Sequence, residues 1–478
     1  MDGKSPTEQT RQRISAACDA CRARKVKCAF PPVGSRCSTC ADLDIDCTNV
    51  QPRKKRGPKN QYVRALKAQL DGDMVGEKST EQWGLELIAP LAIIHQIIND
   101  WFDWIHPVAP ILHRGLFFQR LAGLQQPSDG NNPSLLLLVV SVCAATVASL
   151  RRRRYLYAAV TVDGCLELAE RLKMWSPNSI ITLERALSVY NFSCAVHHEH
   201  GIDSPLSHRL SGEASISVNF LFHQAIDSMS FMEQQILKRL YWLIFAGQCT
   251  FDMHGRRLFI LRHAHEPVNV FLPMDVTDEQ LFLGSEADSI ALTTGNYSYV
   301  PGLNALSGLF LVWQSSQTIS VQTMENLSEH ISRAHHVLDD VSPELRWQGE
   351  ASQFGDFGFN VQKVNLKITQ LHIRSNLLEQ MNTLARDQNL RVTPDVIIEE
   401  RHRVVDELLD ILYHTSNEVF DANGYSIVPK IRDIGSALLD ELRTGSHGRT
   451  LQASLSLDRL LVKLDDLDIR QVVQAPHT

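Results

Sequence analysis

The stretch CDACRARKVKC, residues 18–28, carries four cationic side chains between two of its cysteines, and CSTCADLDIDC, residues 37–47, repeats its cysteine spacing. Each half has cysteines at its first, fourth and eleventh positions, so six of the ten cysteines of the chain lie between residues 18 and 47. The halves differ in charge, because the second has aspartates where the first has basic residues. The segment is therefore an internal repeat with one cationic and one acidic copy.

Metal binding is the leading explanation of the clustered cysteines. Residues 1–17 are polar and lack the apolar core of a secretory signal, so we expect a reducing compartment in which disulfides are out of place. A single tetrahedral zinc takes four ligands and would leave two of the six thiolates unused. Two zinc ions can share six thiolates if two thiolates bridge, and the repeat suggests that the first of each half does so. The predicted metal ligands are Cys18, Cys21, Cys28, Cys37, Cys40 and Cys47.

This spacing, with a basic run inside the first half, resembles the fungal binuclear zinc cluster of transcription regulators. In that family the first and fourth cysteines bridge the metals, which here are Cys18 and Cys37, and the usual target is a CGG triplet in double-stranded DNA. A disulfide knot and a zinc fold that only holds protein partners are the alternatives. Neither explains the charge difference between the halves.

The basic run predicts which half contacts DNA. Alignment of the halves places Lys25 opposite Asp44, so one half attracts phosphates and the other repels them. Lysine and arginine read guanine through O6 and N7 in the major groove, and the family resemblance implies Lys25, with Arg24 beside it, as the base contact. Arg22 and Lys27 are predicted phosphate contacts. A charge run is most often a solvated helix face, but here an acidic twin accompanies it.

A second basic segment follows the cluster and is interrupted by Pro52, Gly57 and Pro58. We expect it to be extended, to lie along the phosphate backbone and to act as a nuclear import signal. Its RGPK sequence and the short helical stretch after it are similar to the linker of maltose and amylase activators. Its predicted DNA contacts are Arg53, Lys54, Lys55, Arg56 and Lys59.

The charge of the chain divides in the same place. Residues 1–70 contain 15 Lys and Arg against 6 Asp and Glu, whereas the remainder contains 32 against 48. A basic head on an acidic body predicts that DNA contact is confined to the head. We predict a disordered N-terminus at 1–17, the zinc cluster at 18–47, a basic linker with a short helix at 48–80 and an all-helical regulatory domain at 84–478.

Dimerisation is not decided by the linker. Val63, Leu66 and Leu70 have coiled-coil spacing, but they cover about two heptads, fewer than the three to four that indicate a stable coil. A monomer and a homodimer joined through the larger domain both stay open.

The region from about residue 84 is predicted to be mostly α. Apolar residues recur at helical spacing, as at Leu87, Leu91, Ile94 and Ile98, and we expect about a dozen helices. The apolar run 135–150 is shorter than the roughly 18 residues of a membrane helix, so a buried helix and no membrane contact are expected.

Two motifs in this region resemble the fungal-specific regulatory domain that often accompanies the zinc cluster. They are HPVAPILH, residues 106–113, and KRLYW, residues 238–242. The resemblance extends over about residues 90–290. It implies that the domain sets the activity of the DNA-binding module according to metabolite or partner signals.

Enzyme signatures are missing from the sequence. His197, His198, His200, His208 and His223 lie close together without an HExxH pattern, so we expect a surface or helix-end cluster. The sequence contains no Walker loop and no GxSxG elbow. LLVKLDDLDI, residues 460–469, is predicted to be an exposed amphipathic helix that contacts the transcription machinery.

These patterns together predict a nuclear, zinc-dependent, sequence-specific DNA-binding transcription regulator of the RNA polymerase II type. Its metabolic pathway is either sugar utilisation or a secondary-metabolite gene cluster. A metabolic enzyme that carries a zinc module and a zinc-dependent protein scaffold are the alternative functions.

Overall fold

The computed structural model forms two compact units, one within Met1–Glu81, here called the head, and one within Gln82–Thr478, here called the body. It describes residues 17–31, 36–50, 84–124, 132–157, 160–176, 179–256, 261, 272–282, 298–349, 356–388, 394–424, 426–444 and 447–467. These residues contain helices and no β-strand. The predicted fold class, a small cysteine module followed by a large helical region, is confirmed. Most of the predicted disordered N-terminus and of the linker lie outside the described residues.

Two short helices form the described part of the head, α1 at Asp19–Ala23 and α2 at Ser38–Asp42. Its buried apolar cluster consists of four cysteines, Cys18, Cys21, Cys37 and Cys40. So small a cluster cannot supply the free energy that ordering the segment costs, and a cross-link must contribute it.

The described part of the body contains fifteen α-helices, more than the expected dozen, because short helices such as Asp278–Phe282 show too few turns for a clear period. A π-helical turn, Trp101–Ile105, continues the helix Leu91–Asp100. The helices are α3 Leu91–Asp100, α4 Arg114–Gly123, α5 Pro133–Ser149, α6 Val162–Arg171, α7 Leu183–His200, α8 Pro205–Gln224, α9 Phe231–Met253, α10 Asp278–Phe282, α11 Val300–Gln317, α12 Met324–His336, α13 Phe357–Asp387, α14 Pro394–Tyr413, α15 Asn417–Asn423, α16 Ile427–Thr444 and α17 His447–Leu467.

Local signals fix several helix ends. The hydroxyl of Ser230 accepts from the backbone N–H of Glu233, and the Glu233 carboxylate accepts from the N–H of Ser230, which makes a capping box at the start of α9. Gly201 ends α7 with a φ of 82°, a left-handed conformation that glycine adopts without steric cost.

Helix α5 is the apolar run that superficially resembled a membrane span. It starts at Asn132, whose side chain accepts from the N–H of Leu135, and fourteen of its seventeen residues are buried. The prediction of a buried helix is confirmed. No helix of the described residues is long and apolar enough to cross a membrane.

The arginines that follow α5 hold other elements in place. A guanidinium nitrogen of Arg153 lies 2.9 Å from Asp100 Oδ1, and the hydroxyl of Tyr157 donates to Asp100 Oδ2 at 2.9 Å. Arg154 donates to Glu199 at the end of α7. These charges pair with carboxylates of the body itself.

Two hydrophobic cores share the body. The first core is built largely from α3 to α9 and α11, and the second from α13 to α17. The long helix α13 belongs to both, since Ile373 and Leu377 pack in the first core and Val364 and Leu371 in the second. The seam between the two cores therefore runs along α13.

Candidate functional site

The two halves of the head fold in the same way, as their sequence repeat predicts. Cys18 lies just before α1, and its sulfur accepts from the backbone N–H of Cys21 at 3.5 Å. Cys37 lies just before α2, and its sulfur accepts from the N–H of Cys40 at 3.4 Å. The first thiol of each half therefore caps its helix, and the second cysteine lies in the first turn of that helix.

The third cysteine of each half returns to the first. The N–H of Cys18 donates to the sulfur of Cys28, and the N–H of Cys37 donates to the sulfur of Cys47, both at 3.4 Å. All six cysteines thus take part in one repeated hydrogen-bond pattern with approximate twofold symmetry.

Backbone bonds also exchange between the halves. The N–H of Asp19 donates to the carbonyl of Thr48 at 2.8 Å, and the N–H of Ser38 donates to the carbonyl of Ala29 at 2.9 Å. The end of each half therefore stabilises the start of the helix in the other half.

The sulfur atoms lie at distances that suit zinc. A tetrahedral zinc with Zn–S bonds of about 2.3 Å places its sulfur ligands roughly 3.8 Å apart. Cys18 and Cys37 lie 3.8 Å apart, Cys18 and Cys40 3.5 Å, and Cys21 and Cys37 3.6 Å. Cys21 and Cys40 are separated by 4.0 Å. These four sulfurs, all within 4.8 Å of one another, therefore lie at the spacing of ligands around a metal.

The thiols of Cys18 and Cys37 have lowered pKa values. The backbone N–H of Cys21 lowers the pKa of Cys18 to about 6. Burial alone would raise the pKa of Cys37, but the N–H of Cys40 and the neighbouring thiols lower it. Burial raises the pKa of Cys21 to about 12 and also raises that of Cys40. These two thiols need a bound cation to become thiolates near neutral pH.

The basic residues of the first half lie on the outside of the head. The side chains of Arg24, Lys25 and Lys27 are exposed. Arg22 is turned back toward the helix, where its guanidinium lies 2.5 Å from Asp19 Oδ1. Three of the four predicted cations are therefore presented to solvent, and the fourth also forms an ion pair within α1.

Lys25 and Asp44, which the repeat aligns, have the same unusual backbone. Both are left-handed, with φ of 55° and 45°. On the acidic half, Arg36 lies 3.4 Å from Asp44 and 3.5 Å from Asp46. Equivalent positions thus carry opposite charge on one shared geometry. The predicted contacts Arg53, Lys54, Lys55, Arg56 and Lys59 lie outside the described residues.

Asp19 is a residue that the sequence reasoning missed. Its buried carboxylate accepts from the N–H of Val50 at 2.7 Å and from the hydroxyl of Thr48 at 3.3 Å. It thereby ties α1 to the chain beyond the last cysteine. An acidic residue at the start of a helix was a visible signal, but a partner 31 residues away was not.

In the body, the two family-like motifs meet. Arg239 is only 2 % exposed and donates to the carbonyl of Pro110 at 3.1 Å and to that of Val276 at 3.2 Å. Residues 106–113 and 238–242 are thus joined in one buried network. In this structure the buried hydrogen bonds of Arg239 hold the two motifs together.

The five clustered histidines divide between the last turn of α7 and helix α8. His198 on α7 is buried and lies 3.0 Å from the hydroxyl of Ser149, whereas His208 and His223 on α8 are exposed. The helix-end description fits the α7 members, but His198 does not lie at the surface.

The C-terminal acidic segment is an amphipathic helix, as predicted. Asp465 and Asp466 are exposed on α17, and Leu460 and Leu464 are buried. Asp468 lies outside the described residues.

Comparisons with known proteins agree with these observations. The family described as the fungal Zn(2)-Cys(6) binuclear cluster domain matches residues 16–56, and the fungal specific transcription factor domain matches residues 98–438. No solved structure matches the chain.

Curated relatives include regulators of maltose fermentation and regulators named for azaphilone and citrinin. The chain is 24% identical over 456 residues to the maltose fermentation regulatory protein MAL33 of Saccharomyces cerevisiae, covering 92% of this chain and 87% of that protein. It is 26% identical over 166 residues to the azaphilone cluster-specific transcription factor azaR of Aspergillus niger, covering 29% and 34%. It is 40% identical over 102 residues to the citrinin biosynthesis transcriptional activator mrl3 of Monascus ruber, covering 20% and 19%.

Proposed function

The chain belongs to the fungal transcription factors that carry a binuclear zinc cluster and the fungal-specific domain, and from this premise we propose that it binds DNA sequence-specifically in the nucleus. Its family and relatives are transcription regulators, not enzymes. The cluster domain of this family holds two zinc ions. The observation that carries the proposal is the twofold arrangement of six cysteines beneath one exposed cationic helix end.

The proposed metal ligands are Cys18, Cys21, Cys28, Cys37, Cys40 and Cys47, with Cys18 and Cys37 shared. The sulfur distances of 3.5–3.8 Å along the edges that would share a metal support this assignment. When bound, the zinc pair cross-links the two halves and supplies the folding free energy that the small apolar cluster lacks. The chain itself orients the thiols through the backbone N–H groups of the two helices.

The proposed reading surface is the exposed end of α1. Lys25 donates to O6 and N7 of a guanine in a CGG triplet, with Arg24 beside it. Lys27 and Arg22 contact phosphates and fix the register. The basic linker contributes Arg53, Lys54, Lys55, Arg56 and Lys59, which strengthen binding to any duplex by releasing counterions.

The acidic half sets the orientation of the head. Asp42, Asp44 and Asp46 would meet phosphates if α2 entered the groove, and like-charge contact disfavours that approach. A nearly symmetric fold is thereby limited to one productive orientation on DNA.

We propose that the body regulates this activity in a metabolic pathway. Similarity to maltose regulators over most of the chain favours sugar utilisation. Shorter similarity to azaphilone and citrinin regulators keeps a secondary-metabolite cluster as the second candidate. The exposed acidic side chains of α17 are proposed to contact the transcription machinery. The proposed function can be carried out by a monomer or by a homodimer joined through the body.

The reading role of Lys25 is tested by measuring binding to a CGG duplex and to a scrambled duplex over a range of salt concentrations. Lys25→Ala is expected to cost about 1–3 kcal/mol on the CGG duplex and to reduce the preference for it. Lys55→Ala should weaken both duplexes alike and flatten the salt dependence.

Asp44→Ala is the matched control, because it removes a side chain from the same left-handed backbone in the acidic half. It should leave the preference for CGG unchanged, because Asp42 and Asp46 still oppose entry of the acidic half into the groove. Equal losses on both duplexes for Lys25→Ala would refute the reading role. Indifference of the wild-type chain to CGG would favour the protein scaffold.

A further inference from the structure

A cavity of about 220 Å³ lies inside the body at the seam between the two cores. Leu243 and Phe310 of the first core and Ala422 of the second contribute to its wall. An engineered apolar cavity of about 150 Å³ binds benzene, so this cavity has room for a ring with one further small group.

One wall of the cavity carries a buried cation. Lys430 on α16 is 5 % exposed, its Nζ donates to the hydroxyl of Thr369 at 2.8 Å and lies 5.9 Å from the ring centre of Phe310. Within the described part of the chain, no carboxylate forms an ion pair with this ammonium. Burial lowers the pKa of Lys430 to about 8. A buried charge is costly unless an opposite charge accompanies it.

Other polar groups in the wall also lack partners. The amide nitrogen of Asn423 donates to the carbonyls of Val361 and Val419, but its Oδ1 is buried and accepts no hydrogen bond in the described structure. Nδ1 of His197 is likewise buried without a partner there. The cavity thus combines a mostly apolar wall with a cation and two neutral groups that can take further hydrogen bonds.

A wider cleft adjoins the cavity. A cleft of about 710 Å³ shares the lining residues His197, Thr250 and Ser426 with it, and its lining also includes exposed His200. Arg432 lines the same cleft. Asp203 and Asp433 line it as well, so the cleft carries both signs of charge.

We propose that this cavity binds a small monocarboxylate, whose apolar part fills the cavity and whose carboxylate pairs with the ammonium of Lys430. The size of the cavity limits the apolar part to about one ring. The absence of a carboxylate partner for Lys430 among the described residues selects an anion over a neutral molecule. Binding here requires neither the head nor DNA, so its failure leaves the proposed function untouched.

Fluorine NMR on the full chain tests the proposal with 4-fluorobenzoate and its neutral analogue 4-fluorobenzamide as probes. Saturable broadening by 4-fluorobenzoate is expected, with binding about tenfold or more tighter than that of the amide, because a hydrogen bond to a charged group is the stronger one. Lys430→Met should reduce benzoate binding to the level of the amide. Lys363→Met is the control, since this buried lysine bonds to Asn360 and does not line the cavity.

A second variant keeps the test decisive if Lys430→Met fails to fold. Gly247 lines the cavity, and a Cβ built at this position of α9 meets no atom within 4 Å. Gly247→Leu should therefore fill the cavity, abolish binding of 4-fluorobenzoate and leave the melting temperature equal or higher. Failure of 4-fluorobenzoate to bind the wild-type chain, or equal binding to Gly247→Leu, would overturn the proposal.

Discussion

Lys25 and Asp44 occupy equivalent positions of the repeat, with the same backbone conformation and opposite charge. After each five-residue helix the chain must reverse to bring its third cysteine back, and a left-handed residue at Lys25 and at Asp44 makes that reversal. A side chain is tolerated there at some cost, since such a φ is rare outside glycine, asparagine and aspartate. We propose that the contact of Lys25 with a base offsets this cost.

Asp19 ties the start of α1 to the chain beyond the last cysteine. Asp19→Ala leaves the N–H of Val50 and the guanidinium of Arg22 without this acceptor, so we expect a loss of about 1–3 kcal/mol in the stability of the zinc-bound head. Zinc retention is measured by titrating the zinc-bound chain with a chelator that changes colour when it binds zinc.

The aligned position of the other half supplies the control for Asp19. Ser38→Ala removes one exposed hydrogen bond to the carbonyl of Ala29 and should change zinc retention by no more than about 1 kcal/mol. Equal zinc retention by the two variants would show that Asp19 does not close the head.

Among the elements, α5 and the arginines after it show what a sequence pattern can predict. The pattern predicts the helix, but it does not predict the partners of the arginines. The apolar run predicted a buried helix from its length alone, and the structure confirms it. Which carboxylates pair with Arg153 and Arg154 could not be predicted, because Asp100 and Glu199 lie 53 and 45 residues away from them in the sequence. Pairing between distant elements is set by tertiary packing.

Asp100 is expected to be the carboxylate that this junction needs most. It is 3 % exposed and accepts from both Arg153 and Tyr157. Asp100→Asn removes its charge beside Arg153, and we expect a destabilisation of about 3 kcal/mol, at the low end for a buried pair because Arg153 is partly exposed. Chemical denaturation followed by tryptophan fluorescence measures it.

Asp103→Asn is the control, since the pair that Asp103 forms with Arg114 is exposed. A loss below about 1 kcal/mol is expected there. Similar losses in both variants would contradict the assigned role of Asp100.

At the scale of the whole molecule, the head and the body should respond differently to metal removal. All seven tryptophans lie at or beyond residue 83, so their fluorescence reports on the body alone. A strong chelator should abolish binding to the CGG duplex and leave the thermal transition seen by tryptophan fluorescence in place. A large shift of that transition would mean that the body depends on the metal.

The sequence predicted the repeated halves of the head but not the contacts of Asp19, and it predicted the body only in part. Six cysteines at repeated spacing leave few arrangements, because each thiol must reach a shared metal. In the body, helical spacing predicted the element type, but the cavity beside Lys430 arises where residues from many helices converge. The sequence of a single helix does not show which residues of other helices will pack beside it. For the histidines the sequence left a surface and a helix-end cluster open, and it could not predict that His198 is buried beside Ser149 of another helix.

Zinc titration of the metal-free full chain, with bound zinc and affinity for a CGG duplex recorded together, tests most directly whether a metal pair builds the reading surface. We predict that affinity recovers as the chain takes up two zinc ions and is complete at that ratio. Recovery at one zinc per chain, or tight CGG binding with no zinc at all, would contradict it.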